Sequence, residues 1–150
     1  MQSSTDCKPC KPGYYCDTTG LSAPTGKCDP GYYCTLGSTK KQPPNTSETK
    51  FNICTAGNCC PQGSPYQIPC KPGKACPNDK MGEADMLTCK EGYYCPEGST
   101  SREQVKCPAG HYCEEGVGVP YPCPRGTFSA STGLTASGQC NTCSVGKYCE

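Results

Sequence analysis

Residues 89–113 read CKEGYYCPEGSTSREQVKCPAGHYC, and this stretch decides the fold of the chain. It contains the seven-residue motif Cys-x-x-Gly-x-x-Cys twice, at 89–95 and at 107–113. The motif occurs five more times, and an eighth copy, CPRGTFS at 123–129, ends in Ser129. We number the copies repeats 1 to 8; they start at residues 10, 28, 54, 70, 89, 107, 123 and 143. Intervals of 16 to 26 residues predict one tandem array of small modules over 1–150.

The composition predicts that disulfides replace an apolar core. Leu, Ile, Val and Phe together number 12 of 150 residues, whereas Cys alone numbers 18. The formal net charge is only +1, which argues against charge-driven disorder. One disulfide that closes a loop of about 15 residues stabilises a fold by about 3 kcal/mol in the chain-entropy model. We expect nearly all cysteines to be half-cystines, with at most one or two free thiols. The candidates are Cys7, Cys10, Cys16, Cys28, Cys34, Cys54, Cys59, Cys60, Cys70, Cys76, Cys89, Cys95, Cys107, Cys113, Cys123, Cys140, Cys143 and Cys149.

This cysteine content favours a secreted or cell-surface location, because disulfides persist in oxidising compartments. Residues 1–6 (MQSSTD) lack the basic start and apolar run of a signal peptide, so we expect a mature or excised part of a longer protein. No stretch approaches the ~20 apolar residues that span a bilayer, and we expect no membrane span. The near-neutral charge offers no basic patch for nucleic acid.

Each repeat is predicted to be a short strand, a tight turn and a second strand. The central glycine follows proline in repeats 1, 2 and 4, and Pro-Gly is typical of a type II turn. Tyrosine precedes the closing cysteine in five repeats, where its ring can cover a disulfide: Tyr15, Tyr33, Tyr94, Tyr112 and Tyr148. The linkers are polar and show no helical periodicity.

The predicted fold class is therefore a small disulfide-rich protein. We expect an elongated tandem array of short β-hairpin and turn modules, with little helix and no central core. The insertion at 35–53 is rich in Lys, Pro, Thr and Ser, and we expect an exposed loop there.

Two pairing schemes remain open at the level of sequence. The first links the closing cysteine of one repeat to the opening cysteine of the next, beginning with Cys16–Cys28. It leaves six cysteines over: Cys7, Cys10, Cys59, Cys140, Cys143 and Cys149. The second links opening to opening and closing to closing cysteines in a ladder. Cys59 is unusual because it occupies the position where other repeats carry Tyr.

The motifs resemble the ephrin-receptor-like cysteine-rich repeat family, which is similar in style to EGF-type and tumour-necrosis-factor-receptor modules. The stretches 95–113 and 123–149 carry this resemblance most clearly, and it covers the whole chain apart from the insertion. The resemblance implies irregular extended stacks, no catalysis, and membership of a large surface or secreted protein.

Other chemistry is weakly indicated. CKPC at 7–10 and CNTC at 140–143 have the spacing of zinc or redox pairs, but we interpret them as ordinary disulfide halves. His111 is the only histidine, and we expect it to be solvated. The acidic residues lack a calcium-loop spacing. We therefore predict no catalytic residue, no cofactor, no metal and no enzyme activity.

Glycans are expected on the exposed segments. Asn45-Thr46-Ser47 is an N-glycosylation sequon inside the 35–53 insertion. The Ser/Thr-rich linkers are further candidates for O-linked sugar.

The function predicted from these patterns is that of a structural extracellular glycoprotein in a surface fibril, filament or sheath. We expect either head-to-tail self-association, which would bury Tyr148 and Tyr14 or Tyr15, or stacking on neighbouring repeats of a longer chain. The alternative is the stalk or ligand-binding module of a receptor or adhesion protein.

Overall fold

The computed structural model describes residues 7–42 and 52–149. In these ranges the regular structure consists of twelve two-residue strands and two 3₁₀ turns, Glu83–Asp85 and Ser137–Gln139. The strands are β1 Tyr14–Tyr15, β2 Gly26–Lys27, β3 Asn58–Cys59, β4 Ile68–Pro69, β5 Lys74–Ala75, β6 Leu87–Thr88, β7 Tyr93–Tyr94, β8 Val105–Lys106, β9 His111–Tyr112, β10 Tyr121–Pro122, β11 Thr127–Phe128 and β12 Asn141–Thr142.

The strands pair in chain order as six two-stranded hairpins, β1–β2 to β11–β12. Each hairpin joins the two residues before a closing position to the two residues before the next opening cysteine. In β1–β2, for example, Tyr14 lies opposite Lys27 in antiparallel register. Repeat 2 keeps the same register with a single antiparallel bridge from Tyr32 to Ile53. The prediction of a nearly helix-free, disulfide-rich tandem hairpin array is confirmed.

The buried part of the described chain consists mainly of sulfur. Of the seventeen buried hydrophobic residues that the structure describes, thirteen are cysteines. The other four are Ile53, Ala75, Met81 and Val117. The disulfides therefore occupy the positions that aliphatic side chains fill in an ordinary core.

The described residues form two compact blocks. Block 1 contains residues 7–42 and 52–68 together with Asn78–Asp85, which are repeats 1 to 3 and the turn after repeat 4. Block 2 contains Pro69–Pro77 and residues 86–149, which are the motifs of repeats 4 to 8. The same local geometry is found within each block.

The Cys-x-x-Gly segment forms a tight turn, which we call the first turn, in all eight repeats. The residue after the opening cysteine accepts a hydrogen bond from the N–H three residues further on, at 3.0–3.3 Å; one example is Tyr14 N–H to Lys11 O at 3.2 Å. The glycine lies third in each turn with φ between +77° and +85°. Type II turns require this positive φ, so the prediction from Pro-Gly is confirmed and extends to the repeats without proline.

The first turn also determines the disulfide pairing. It brings the two cysteines of a complete motif to a Cα–Cα distance of 5.8–6.1 Å, which a disulfide can bridge. Both pairing schemes considered above are therefore wrong. In the described chain seven disulfides close within single motifs: Cys10–Cys16, Cys28–Cys34, Cys54–Cys60, Cys70–Cys76, Cys89–Cys95, Cys107–Cys113 and Cys143–Cys149.

Candidate functional site: the repeat-to-repeat interface

A second turn follows the closing cysteine, and the sequence reasoning missed it. In repeats 2, 3, 5 and 6 the closing cysteine begins another Cys-x-x-Gly, in which the glycine has φ of +79° or +80°: Gly37, Gly63, Gly98 and Gly116. In repeat 3, for example, the N–H of Ser64 bonds the Pro61 carbonyl at 3.2 Å, and its hydroxyl donates to the same oxygen at 2.6 Å. The sequence signal was present, but the seven-residue motif stopped one turn too early.

Two repeats build the second turn with different residues. In repeat 4 the positive φ falls on Lys80, at +63°, and in repeat 7 it falls on Gly133, at +74°. Both residues lie four positions after the closing position, one more than in repeats 2, 3, 5 and 6. An extra residue is therefore tolerated as long as the chain turns in the left-handed region.

Consecutive repeats are joined by main-chain hydrogen bonds from the first turn. The N–H of Gly13 donates to the carbonyl of Cys34 at 2.8 Å, and the N–H of Cys28 donates to the carbonyl of Gly13 at 3.0 Å. Gly13 thus bonds both ends of the next motif. The same pair of bonds recurs between repeats 2 and 3, 4 and 5, 5 and 6, and 6 and 7.

The second turn bonds back onto the preceding repeat. The N–H of Gly63 donates to the carbonyl of Cys28 at 2.9 Å, and the N–H of Cys34 donates to the carbonyl of Ser64 at 2.9 Å. Both cysteines belong to one disulfide, so the second turn of repeat 3 holds the cystine of repeat 2 from both sides. Because these bonds use only backbone atoms, they do not depend on which side chains the repeats carry.

The first turn also contacts the second turn that lies two repeats further on. A Cβ placed on Gly13, Gly31 or Gly73 would collide with a backbone carbonyl, that of Gly63, Lys80 or Gly116 respectively. A Cβ on Gly92 would lie 2.9 Å from the carbonyl oxygen of Gly133. All four first-turn glycines are buried. Glycine is therefore required twice at this position, for its positive φ and for the close approach of another backbone.

The missing closing cysteine of repeat 7 has a substitute. Cys123 pairs with Cys140, 17 residues away, instead of with the residue at the closing position. That residue, Ser129, is buried, and its hydroxyl donates to the Ser131 carbonyl at 3.2 Å. Its carbonyl accepts the N–H of Gly110 at 2.8 Å, as the carbonyl of a closing cysteine does in other repeats.

Two of the eighteen expected half-cystines lie outside the disulfides. Cys7 is an exposed free thiol, and Cys59 is buried within β3. Both differ from our expectation because pairing within motifs joins one opening to one closing cysteine, and Cys7 and Cys59 occupy neither position. CKPC and CNTC form no pair of their own either, since Cys10, Cys140 and Cys143 each bond a cysteine elsewhere.

The tyrosines before the closing cysteines differ in exposure. Tyr94 packs against Cys107, Cys113 and Val117, so it covers the disulfide of the next repeat as expected. Tyr148, in repeat 8, is 85% exposed. Tyr112 contacts the ring of Tyr121 across β9–β10, with a centroid separation of 5.5 Å.

Lysine side chains add surface contacts next to these rings. Lys11 lies over the ring of Tyr14 at 4.3 Å from its centroid. Lys90 lies 5.9 Å from the ring of Tyr93 and donates a 2.6 Å hydrogen bond to the Glu103 carboxylate. That hydrogen bond, together with the negative charge of Glu103, raises the pKa of Lys90.

Other candidate sites are minor. A shallow pocket of about 270 Å³ is lined by Tyr15, Asp17, Thr39, Lys40, Lys41 and Gln42. In residues 7–42 and 52–149, no three or more His, Cys, Asp or Glu side chains are grouped as metal ligands would be. His111 is half-buried, with Nδ1 3.2 Å from the Ala109 carbonyl oxygen. The sequon at Asn45 lies outside the described residues.

No helix in the described part of the chain is long and apolar enough to cross a membrane. No known family model matches the sequence, and no curated protein matches it. We therefore infer function from the repeat geometry.

Proposed function

We propose that this chain is a structural extracellular protein, a disulfide-bonded repeat segment that forms or belongs to a surface fibril, filament or sheath. The observation that carries the proposal is the recurrence of one backbone contact. First-turn glycines bond the next repeat, and second turns bond the preceding cystine, in both blocks.

Such a contact suits an assembly protein because it is independent of side-chain identity. The bonded groups are backbone N–H and C=O groups of cysteines and turn residues, so one repeat can stack on any other that has the same two turns. The linkers between turns can then vary freely. Repeat proteins of this type are stabilised mainly by contacts between neighbouring modules.

The proposed location is the cell surface or the extracellular space. Sixteen of the eighteen cysteines are joined in eight disulfides, a content that fits an oxidising compartment. The resemblance to ephrin-receptor-like repeats supports the same location. We include in this proposal a non-enzymatic role and an N-linked glycan on Asn45.

The alternative is a stalk or ligand-binding module, and exposed aromatic residues favour it. Tyr66 is 64% exposed and Tyr148 is 85% exposed, and tyrosine is enriched at the energetic centres of protein interfaces. In this alternative the repeats would present a surface to a protein or glycan partner.

Immunogold electron microscopy of intact, non-permeabilised cells of the native host tests the two functions. An antibody raised against the oxidised chain should label extracellular fibres continuously, and cells lacking the gene serve as the control. Scattered single particles on the plasma membrane would instead support the stalk. Label confined to the cell interior would refute both.

A further inference from the structure

In the described chain, the first-turn glycines of repeats 6 to 8 lack the second-turn contact that those of repeats 1, 2, 4 and 5 make. A Cβ on Gly110, Gly126 or Gly146 would meet nothing within 4 Å in the described chain. Gly110 is half-buried, and Gly126 and Gly146 are exposed. Beside them, Val145 is 104% exposed and Tyr148 is 85% exposed. We call Gly126, Val145, Gly146 and Tyr148 the acceptor face, because first turns elsewhere accept a second turn at this position.

Repeat 1 carries the complementary surface. Gly20 lies four residues after the closing Cys16 and has φ +75°, the position and conformation of Lys80 and Gly133. The second turn of repeat 1 therefore has the left-handed residue of those of repeats 4 and 7, and no cystine of a preceding repeat lies against it in the described residues.

The residue after Gly20 shows the same difference. Leu21 follows Gly20 as Met81 follows Lys80 and Leu134 follows Gly133. The carbonyls of Met81 and Leu134 each accept a hydrogen bond at 2.9 Å from the closing cysteine of the preceding repeat. Leu21 is 43% exposed, whereas Met81 is only 5% exposed.

We propose that a second copy of this chain docks head to tail, with its repeat 1 stacking on repeats 7 and 8 as the next repeat of the array. This inference rests on the proposed function and names the partner of the array. The argument for a second copy is that one chain carries both halves of an interface that it builds repeatedly within itself. A contact between two different surfaces of identical chains propagates instead of closing on itself.

The internal contacts fix the register of this junction. The N–H of Cys149 would donate to the carbonyl of Leu21 of the second copy, as Cys60 does to Met81 at 2.9 Å. The N–H of Gly20 of the second copy would donate to the carbonyl of Cys143, as Lys80 does to Cys54 at 2.7 Å.

The strands on either side of the junction also match. Lys8 and Pro9 precede the opening Cys10, and they would pair with Lys147 and Tyr148 as β10 pairs with β9. β10 itself ends in Pro122, opposite His111, so a proline before the opening cysteine is compatible with this pairing.

The junction is expected to be non-covalent. Cys143 and Cys149 are already joined to each other, so they offer no thiol to Cys7 of a docking copy. Self-association should therefore persist in a Cys7→Ser variant and in the presence of a thiol-blocking reagent.

Sedimentation equilibrium of the oxidised full chain over a wide concentration range tests the proposal. The wild-type chain should form dimers and longer oligomers without a fixed end-point. Leu21→Asp alters the second turn of repeat 1, and Tyr148→Lys alters the acceptor face opposite Lys8. Each change should weaken association by about tenfold or more.

Leu87→Asp is the matched control, because Leu87 is 42% exposed and belongs to β6, which is part of neither repeat 1 nor the acceptor face. The control should associate as the wild type does. Circular dichroism and a count of free thiols should be unchanged in all three variants, which separates loss of docking from loss of folding.

An equimolar mixture of the two weakened variants tests the head-to-tail geometry. Leu21→Asp keeps an intact acceptor face and Tyr148→Lys keeps an intact repeat 1, so the mixture should form one-to-one dimers and stop there. A wild-type chain that stays monomeric up to about 1 mM, equal weakening by Leu87→Asp, or no dimer in the mixture would overturn the proposal. If immunogold labels fibres on host cells but the purified chain stays monomeric in sedimentation, the proposed junction is wrong and the proposed function stands.

Discussion

Repeats 6 and 7 have the same first turn but close it in different ways. In repeat 6 the disulfide Cys107–Cys113 spans six residues, and in repeat 7 the disulfide Cys123–Cys140 spans 17. Despite this, the glycine has φ +77° in repeat 6 and +79° in repeat 7. The turn hydrogen bonds are 3.3 Å and 3.0 Å long. The short disulfide therefore does not create the turn; it locks a conformation that glycine and the contacts between repeats already specify.

The largest effect should come from removing the disulfide of repeat 6. Cys107 and Cys113 are fully buried and pack against Val117 and Tyr94. Cys107→Ala together with Cys113→Ala therefore loses both loop closure and packing. We expect the free energy of unfolding to fall by about 4 kcal/mol. Denaturant unfolding of the oxidised protein, monitored by tyrosine fluorescence, measures this loss.

The matched control is Cys123→Ala together with Cys140→Ala in repeat 7. Its longer loop contributes more entropy, but Cys123 is only half-buried, and we expect a loss of about 3 kcal/mol. A larger loss in repeat 7 than in repeat 6 would show that loop length outweighs sulfur burial.

The next largest difference in stability should appear when a methyl group is added to two kinds of first turn. One kind contacts a second turn, and the other has no such contact in the described chain. Gly92→Ala strains a positive φ and brings a methyl group to 2.9 Å from the Gly133 carbonyl oxygen. We expect it to cost about 3 kcal/mol of stability, against about 1 kcal/mol for the exposed Gly126→Ala, which only strains φ. Thermal unfolding of both variants at equal concentration checks this, and equal losses would contradict the contact described at Gly92.

A smaller effect is expected from converting repeat 7 into the form of repeat 6. Ser129→Cys combined with Cys140→Ser should move the disulfide to positions 123 and 129, because the turn already has the required shape. We expect stability to change by less than about 1 kcal/mol, since a shorter loop offsets the recovered burial of sulfur. Mass-spectrometric mapping of non-reduced peptides identifies the new pair; a free thiol at position 129 would contradict it.

The smallest effect concerns the exposed pair Lys90–Glu103. Glu103 raises the pKa of Lys90, so the pair stabilises the fold below the ordinary lysine pKa, and this contribution disappears as the pH rises through the raised value. Glu103→Gln should shift the Lys90 titration to lower pH. Proton-detected NMR titration of the lysine side chains above pH 9 resolves the shift when the variant is compared with the wild-type protein.

Much of the local fold could be predicted from glycine and cysteine spacing. Pro12-Gly13 and its equivalents identified the first turn, and the absence of helical periodicity excluded long helices. The pairing could not be predicted in the same way, because it depends on how sharply the chain reverses between Cys10 and Cys16. The first turn brings Cys10 and Cys16 to a Cα–Cα distance of 5.9 Å, and a spacing of six residues does not by itself predict that distance.

The repeat interface was harder to predict for a physical reason. It consists of backbone groups, such as the N–H of Gly63 and the carbonyl of Cys28. Every sequence contains such groups, so no residue pattern predicts which of them bond. The glycine-to-carbonyl contacts have no side-chain signature, and Tyr148, for which the sequence predicted a packing role, is 85% exposed. The second turn at Lys80 departs even from the glycine pattern, so only the backbone dihedral angles identify it.

The main-chain character of the repeat contact has a consequence for how such a gene can change in length. Repeat 2 keeps its Tyr32–Ile53 bridge and its Gly31–Cys60 hydrogen bond although the connection 35–53 is the longest in the chain. A DNA duplication or deletion of one whole repeat would therefore preserve both turns on each side of the joint, without requiring compensating substitutions. Gain or loss of whole repeats would then yield proteins of different repeat number that still fold.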